Sequence, residues 1–351
     1  MNIGIPKEIK VAEGRVALTP DSCSELIASD HQIFMQQNAG LMSGFKDSEY
    51  QLVGVRICPS VEELYHSCQL IVKVKEPLES ELKYLTSEHI LFCFLHLAAN
   101  EKLANGLSRI GLTAVGFESV KENNQLPILK PMSEIAGKLS IQIGATLLHQ
   151  YQEGSGLLLG GLPGLDIDKG QVLVLGAGSA GKQAALLARN MGANVFVYDR
   201  SDDALTELKQ IDPLIHTIND ESDCLALLEY TNLLIGALHI AGKKSPHFIS
   251  RSDLMLMMDG SVIVDISVDQ GGCIETTRPT TYDQPTFVEE GVTHFCVANM
   301  PGAVPRTATQ ALSSVLPAYI HRLTKEGWGE QDAVMQSAIN VKAGKVLINL
   351  L

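Results

Sequence analysis

A chain of 351 residues, 45% apolar and 19% charged, exceeds the usual size of a single core and is too rich in core-forming residues to be disordered, so two folded domains are expected. Its formal net charge of −13 argues against nucleic acid or an anionic membrane as partner, because the densest basic runs are short pairs such as Lys243-Lys244.

The N-terminus, Met1-Asn-Ile-Gly-Ile-Pro-Lys-Glu, carries charges where a signal peptide needs an apolar core, and no apolar stretch of spanning length follows, so a cytoplasmic location is expected. Residues 3–5 predict a first strand closed by Pro6. Thr19 is a good N-cap ahead of Pro20 at the first helical position, starting a helix through residues 26–28. Ser60 with Glu63 three residues on is a capping box opening a helix toward Tyr65. Residues 69–74 and 90–95 are β-rich apolar segments, and residues 101–110 have helical periodicity. Such alternation implies a mostly parallel sheet with helices on both faces, an α/β fold. From 132 to 152 runs a long helical pattern through Ile135, Leu139, Ile143 and Leu147, the expected connector between domains. Gly154-Ser-Gly, Gly160-Gly161 and Pro163-Gly164 then mark a flexible loop.

Residues 172–175 form a short apolar strand, and Gly176, Gly178 and Gly181 satisfy G-x-G-x-x-G where a helix begins. The first glycine allows the tight turn, the second lets pyrophosphate approach the backbone, and the third lets helix and strand pack closely. Ser179 and Ala180 lie between them at a helix N-terminus whose amides suit phosphate. A second strand, 194–198, ends in Asp199, roughly 20 residues on, where an acid accepts hydrogen bonds from ribose hydroxyls. NAD is expected over NADP because an added phosphate would meet a like charge at Asp199. Arg200 beside it reads as a solvated residue. Segments 232–237, 261–265 and 294–297 supply further strands. After Pro305 the pattern is helical again through Ala311, Val315, Ala318 and Leu323. The expected organisation is a substrate domain built from both chain ends, 1–134 plus 306–351, with an NAD-binding Rossmann domain, 135–305, inserted. Cys23, Cys58, Cys68, Cys93, Cys224, Cys273 and Cys296 are odd in number and lack zinc-ligand spacing, so reduced, mostly buried thiols and no metal are expected.

Four residues stand where they can meet a nicotinamide. Lys75 and His96 each terminate an apolar β segment, the end that faces the ligand crevice in an α/β sheet. Arg15 offers a planar fork to a carboxylate, and Lys75 a compact cation that shares that charge or polarises a carbonyl. His96 can exchange a proton near neutrality, the imidazole reference pKa being about 6.5. Asp269 could orient water or ammonia, or balance a developing positive charge. Together they suit oxidation of a small 2-amino or 2-hydroxy acid. Phe94 and Met132 are placed to restrict the pocket to small side chains. Each group also has an ordinary structural explanation, and Lys73, on the same strand face as Lys75, leaves open which lysine reaches substrate.

Gly4-Ile-Pro-Lys-Glu, Arg15-Val-Ala-Leu-Thr-Pro, Val74-Lys-Glu-Pro-Leu, Phe94-Leu-His-Leu-Ala, Pro131-Met-Ser-Glu-Ile-Ala-Gly, Val264-Asp-Ile-Ser-Val-Asp-Gln-Gly-Gly and Ala298-Asn-Met-Pro-Gly-Ala-Val-Pro, taken in order, resemble the alanine dehydrogenase family over nearly the whole chain. The resemblance implies that Arg15 and Lys75 hold the carboxylate and keto oxygen of pyruvate and that His96 and Asp269 are the catalytic pair. It places Ser133 near the cofactor phosphates and Val297 and Met300 on the nicotinamide side. The implied reaction is reversible oxidative deamination of L-alanine to pyruvate and ammonia, with hydride passing to NAD. Oxidation gives an iminium, water adds to form a carbinolamine, and His96 shuttles the proton as ammonia leaves. Homohexamers are common in the family. The chain departs from the family pattern at Ile240-Ala-Gly (for Val-Pro-Gly), at Phe117 (for Tyr) and at Lys138 (for Arg). It also stops sooner than the family would suggest, at Leu351, a shortening expected to weaken closure of the substrate domain or a subunit contact. Two other readings compete. A transhydrogenase α subunit shares the two-domain architecture but needs no amino-acid pocket, and a non-catalytic nucleotide-binding regulator would show a broken catalytic set.

Overall fold

A computed structural model describes residues 1–162, 164–238 and 247–348. Pro163, Ile240, Lys243, Lys244 and Leu351 lie outside the described residues. The chain divides into two compact units, Met1–Met132 with Gly302–Leu351, and Ser133–Pro301.

In the first unit, β1 (Asn2–Ile5), β2 (Gln32–Gln36), β3 (Arg56–Cys58), β4 (Leu70–Val72), β5 (Ile90–Cys93) and β6 (Thr113–Gly116) pair in parallel. The inner strands are buried, Leu70-Ile-Val throughout its length, which is why they read as unbroken apolar runs rather than alternations, whereas β3 at the edge exposes Arg56. The order is β15-β14-β6-β5-β4-β1-β2-β3, where β14 (Ile339–Lys342) and β15 (Lys345–Val346) form an antiparallel hairpin on the β6 edge. Sequence reading anticipates helices in this tail and misses the hairpin. Its two-residue turn, Ala343-Gly344, has φ of 48° and 77°, a geometry usually announced by Asn-Gly and concealed here by alanine. The helix Pro20–Ala28 starts as expected, with Thr19 accepting from the Ser22 amide.

In the second unit β7 (Gln171–Leu175), β8 (Asn194–Tyr198), β9 (His216–Ile218), β10 (Leu233–Gly236), β11 (Val262–Asp265), β12 (Thr286–Glu289) and β13 (Val292–Phe295) make a seven-stranded sheet, with only β12 antiparallel. From the β9 edge the order is β9-β8-β7-β10-β11-β13-β12, so strand order reverses at β7 and β10. That reversal is the switch point at which Rossmann sheets bind dinucleotides. The expected helix over 132–152 is instead Lys130–Leu147, followed by a 3₁₀ turn at Gln150–Gln152. It stops because the chain doubles back. The Gly156 amide bonds to the Leu148 carbonyl, and a Cβ at Gly154 would lie 2.2 Å from the Leu147 oxygen. All seven cysteines are buried and free. No described helix is long and apolar enough to cross a membrane, and among the described residues no cluster of His, Cys, Asp and Glu could hold a metal.

Candidate active site

In the first unit Arg15, Lys75 and His96 follow β1, β4 and β5, three adjacent parallel strands. Lys75 and His96 each come three residues beyond their strand's last residue, Val72 and Cys93. All three therefore belong to the carboxyl edge of one sheet, the edge that ordinarily carries ligands.

Arg15 is 2% exposed. Its Nε and Nη2 donate to the two oxygens of Glu13 at 2.7 and 2.5 Å, and Nη1 reaches Met132 Sδ at 3.3 Å. A planar fork matched to a carboxylate is thus already holding one. Lys75 is 7% exposed; burial, reinforced by the neighbouring Arg15 charge, lowers its pKa from the ordinary 10.5, against the pull of Glu76. Lys73 is differently committed. At 1% exposure it donates to both Glu81 oxygens at 2.8 and 2.9 Å and lies 3.6 Å from Glu8. Burial works against its charge, but Glu8 and Glu81 outweigh that and hold the ammonium protonated. The two lysines, equivalent by strand alternation, are separated by their partners: Lys73 belongs to an internal ion-pair triad, and Lys75 to the surroundings of Arg15. Glu8 also accepts from the Val74 and Lys75 amides, at 2.6 and 3.2 Å.

The His96 side chain is exposed, with its ring stacked on Phe94 at 5.9 Å. Its backbone is left-handed, φ 48° and ψ 32°, an uncommon conformation for a residue other than glycine. Phe117 is buried edge-on against both Phe92 and Phe94, so the departure from Tyr at this position falls inside an aromatic core.

In the second unit Gly176 has φ 107°, and a Cβ on it would lie 2.6 Å from the Ala237 oxygen. A Cβ on Gly181 would lie 1.8 Å from the Gly176 oxygen. Gly178 is the opposite case: a Cβ there meets nothing within 4 Å, and its φ of −68° suits any residue. Nothing in the fold demands glycine at 178, so the open space there fits a group arriving from outside. The helix Ser179–Asn190 starts at this point, and its first turn, with Ser179 and Ala180, offers amides to an anion. The helix Lys130–Leu147 touches the cradle through bare backbone, since a Cβ on Gly137 would lie 2.0 Å from the Ala180 oxygen. Ser133, four residues earlier, shares that helix face. These residues suit the pyrophosphate of a dinucleotide.

Asp199 does more than the sequence suggests. Its Oδ2 accepts from the Ala177 amide at 2.7 Å and its Oδ1 from Ser201 at 2.8 Å, tying the glycine turn to the end of β8. Arg200 is exposed, as expected, but lies 3.8 Å from Glu221 in an ion pair. Lys138 is exposed. Asp269 is exposed on the 3₁₀ turn Ile266–Gln270 and accepts from the Asn299 amide at 3.4 Å. That bond connects it with the segment carrying Val297 and Met300, both buried; Met300's carbonyl accepts from Tyr282. The turn is held from beneath by Asp265, fully buried, which accepts from the Ser267 and Cys273 amides and the Thr277 hydroxyl at 2.8, 3.1 and 2.8 Å. Burial pushes its carboxyl up to about 6, against the lowering effect of those bonds. Glu8, Glu13, Glu118 and Asp265 are neighbours of the candidate residues or of the segments that carry them, and sequence reasoning misses them. Only Asp265, a charge closing a four-residue apolar strand, leaves a local signal.

Residues 4–136 match the family described as alanine dehydrogenase/PNT, N-terminal domain, and residues 140–349 match its C-terminal domain. The alanine dehydrogenase of Halomonas elongata is 41% identical, over 99% of this chain and 94% of its own length. That of Bacillus subtilis is 42% identical, over 93% and 86%. Among solved structures, an L-alanine dehydrogenase superposes with a TM-score of 0.94 at 41% identity, covering 99% of this chain and 97% of that one. A transhydrogenase from Sinorhizobium meliloti gives 0.84 at 22% identity over 99% of both chains, a likeness of fold. With both of its units matched in order and relatives aligned almost end to end, the chain belongs to the alanine dehydrogenase/PNT family.

Proposed function

We propose that this protein is an NAD-dependent L-alanine dehydrogenase, interconverting L-alanine with pyruvate and ammonia. One observation carries the reading beyond family membership: two buried cations, Arg15 and Lys75, and the exposed His96 follow adjacent strands at one sheet edge, in a chain that also carries a glycine cradle open at Gly178. NAD, when bound, supplies the two-electron acceptor for the substrate's α-carbon. Gly176, Gly178, Ser179, Ala180, Gly181 and Ser133 would hold its phosphates, Asp199 its ribose, and Val297 and Met300 its nicotinamide side.

The roles follow from the side chains. Arg15 binds the substrate carboxylate, for which Glu13 must share or yield its place, and Lys75 polarises the keto oxygen. His96, presented to solvent, moves the proton as ammonia leaves or enters. Asp269 orients the attacking water or ammonia and balances the positive charge on nitrogen. We extend the proposal to a cytoplasmic homo-oligomer, a hexamer by resemblance. Exposed Tyr151, Leu158, Leu165 and Ile167 support a subunit contact, and sedimentation should give a species well above 37.9 kDa.

The test is a spectrophotometric screen of NAD and NADP against alanine, serine, glycine and branched amino acids at alkaline pH. Alanine-dependent NADH formation is expected. Tight NADH binding with no turnover would instead support a nucleotide-binding regulator, and interconversion of NAD forms without regard to alanine or pyruvate a transhydrogenase-like subunit.

A further inference from the structure

Beyond the ends of β4 and β5 the chain leaves the sheet in the same manner twice. Two consecutive amides turn to a single carboxylate: Val74 and Lys75 to Glu8, and Leu95 and His96 to Glu118. The second clip holds the less comfortable backbone. Glu118 Oε1 accepts from Leu95 at 3.1 Å and from His96 at 2.7 Å, while Oε2 stands 3.2 Å from the Leu95 amide. Glu118 lies in the 3₁₀ turn Phe117–Ser119 directly after β6, and the buried ring of Phe117 fixes that turn against Phe92 and Phe94. His96 is exposed, so side-chain burial does not impose its left-handed φ of 48°, and the Glu118 carboxylate holds the amide about whose N–Cα bond that angle turns.

We propose that Glu118 is a positioning residue for His96: its carboxylate clips the Leu95 and His96 amides and thereby fixes the direction in which the imidazole is presented. The proposal rests on the reading of His96 as the group that moves the proton. It separates reach from charge. If the clip is what matters, an amide oxygen at the same distance can still gather both N–H groups, whereas a carboxylate one methylene shorter cannot. If Glu118 acted through its charge on the imidazole, the order would be reversed.

The experiment compares Glu118→Gln, Glu118→Asp, His96→Gln and the double variant His96→Gln/Glu118→Asp in the full chain. It reads kcat with alanine, KM for pyruvate, NADH affinity by fluorescence titration, and Tm. Because a misplacement of about 1 Å can lower turnover about 100-fold, Glu118→Asp is expected to lose kcat by about 30-fold or more. Glu118→Gln, which exchanges charge-assisted for neutral hydrogen bonds, should lose about 5-fold or less. NADH affinity and the KM for pyruvate, set elsewhere, should move by no more than about 2-fold in both. The double variant should be no slower than His96→Gln alone, since the clip acts only through that residue. Native turnover in Glu118→Asp, a deeper loss in Glu118→Gln than in Glu118→Asp, or multiplied losses in the double variant would each overturn the clip. Should Glu118→Asp fail to fold, Glu118→Gln carries the test alone, and a loss there beyond about 30-fold overturns it. Native turnover in His96→Gln would sink the assignment of His96 itself, an outcome read independently of the Glu118 variants.

Discussion

Lys75 and Asp265 are both buried and both displaced from their ordinary titration, with opposite consequences. The Lys75 ammonium is easier to lose than an ordinary lysine's, so as pH rises the cation proposed to polarise the keto oxygen is lost below 10.5. An anionic ligand favours the charged form, and therefore pyruvate affinity should fall with rising pH in that range. Lys75→Arg, whose charge does not titrate there, should lose overall rate but keep its remaining pyruvate kcat/KM flat across the same interval; a persisting alkaline fall would assign the ionisation elsewhere. Asp265 bears on stability. Its folded pKa, about 6, lies above the reference 3.8, so the folded state binds the extra proton, and stability falls as pH rises from about 4 to about 6. Between pH 4.5 and pH 7 that amounts to about 2 kcal/mol of unfolding free energy. Asp265→Asn should abolish this increment in urea titrations at the two pH values. At this scale the sequence is legible where residues sit in motifs: Arg15, Lys75, His96 and Asp269 each stand out by residue type and by place at the end of an apolar or glycine-bearing segment. Glu8 and Glu118 do not, because each is defined by amides it meets 66 and 22 residues away, and such a bond leaves no local pattern.

Among the elements, the glycine turn between β7 and the helix Ser179–Asn190 offers the cleanest dissection, because two of its glycines are glycine for different reasons. Gly181→Ala drives a Cβ against the Gly176 carbonyl at 1.8 Å, so the turn must shift; both Tm and NADH affinity should drop, the latter by about 10-fold or more. Gly178→Ala meets nothing. It should leave Tm unchanged, or raise it slightly through a stiffer unfolded chain, while weakening NADH binding because the methyl occupies the approach to the backbone. Weakened binding without loss of stability would mark position 178 as a contact surface, and native affinity would remove it. Element reading from sequence succeeds where an apolar run is continuous, as where residues 172–175 become Gln171–Leu175, or where burial recurs at helical spacing, as where residues 101–110 become Glu101–Ile110. It fails at the edge strands β3 and β9, short and carrying polar residues such as Arg56 and His216, and at β14, which lies between β6 and β15 with the polar Asn340 in its middle. Edge strands need only one neighbour and little apolar surface, so their sequences carry little of the pattern that announces a central strand.

For the whole molecule, the sequence conveys the plan of one unit built from both ends of the chain around another, because the glycine motif falls mid-chain and the helical pattern resumes after Pro305. What it does not convey is how the returning segment is used. Residues 302–348 add not only the helices Pro305–Ser313 and Leu316–Leu323 but also β14, which pairs with β6 and covers the edge that strand would otherwise expose. They also bring Thr309 and Ser313, which accept from the Val16 and Thr19 amides on either side of the segment that follows Arg15. The arrangement fixes an order of maturation on the ribosome. Ser133–Pro301 is complete as soon as it clears the exit tunnel, whereas the sheet begun by Met1–Met132, although made first, is completed only when β14 emerges, an interval of roughly 2 to 8 s at ordinary elongation rates. Pulse-labelled nascent chains should accordingly gain protease resistance in the later-made segment before the earlier one, so that the glycine cradle is formed while the earlier-made unit still lacks its last inner strand.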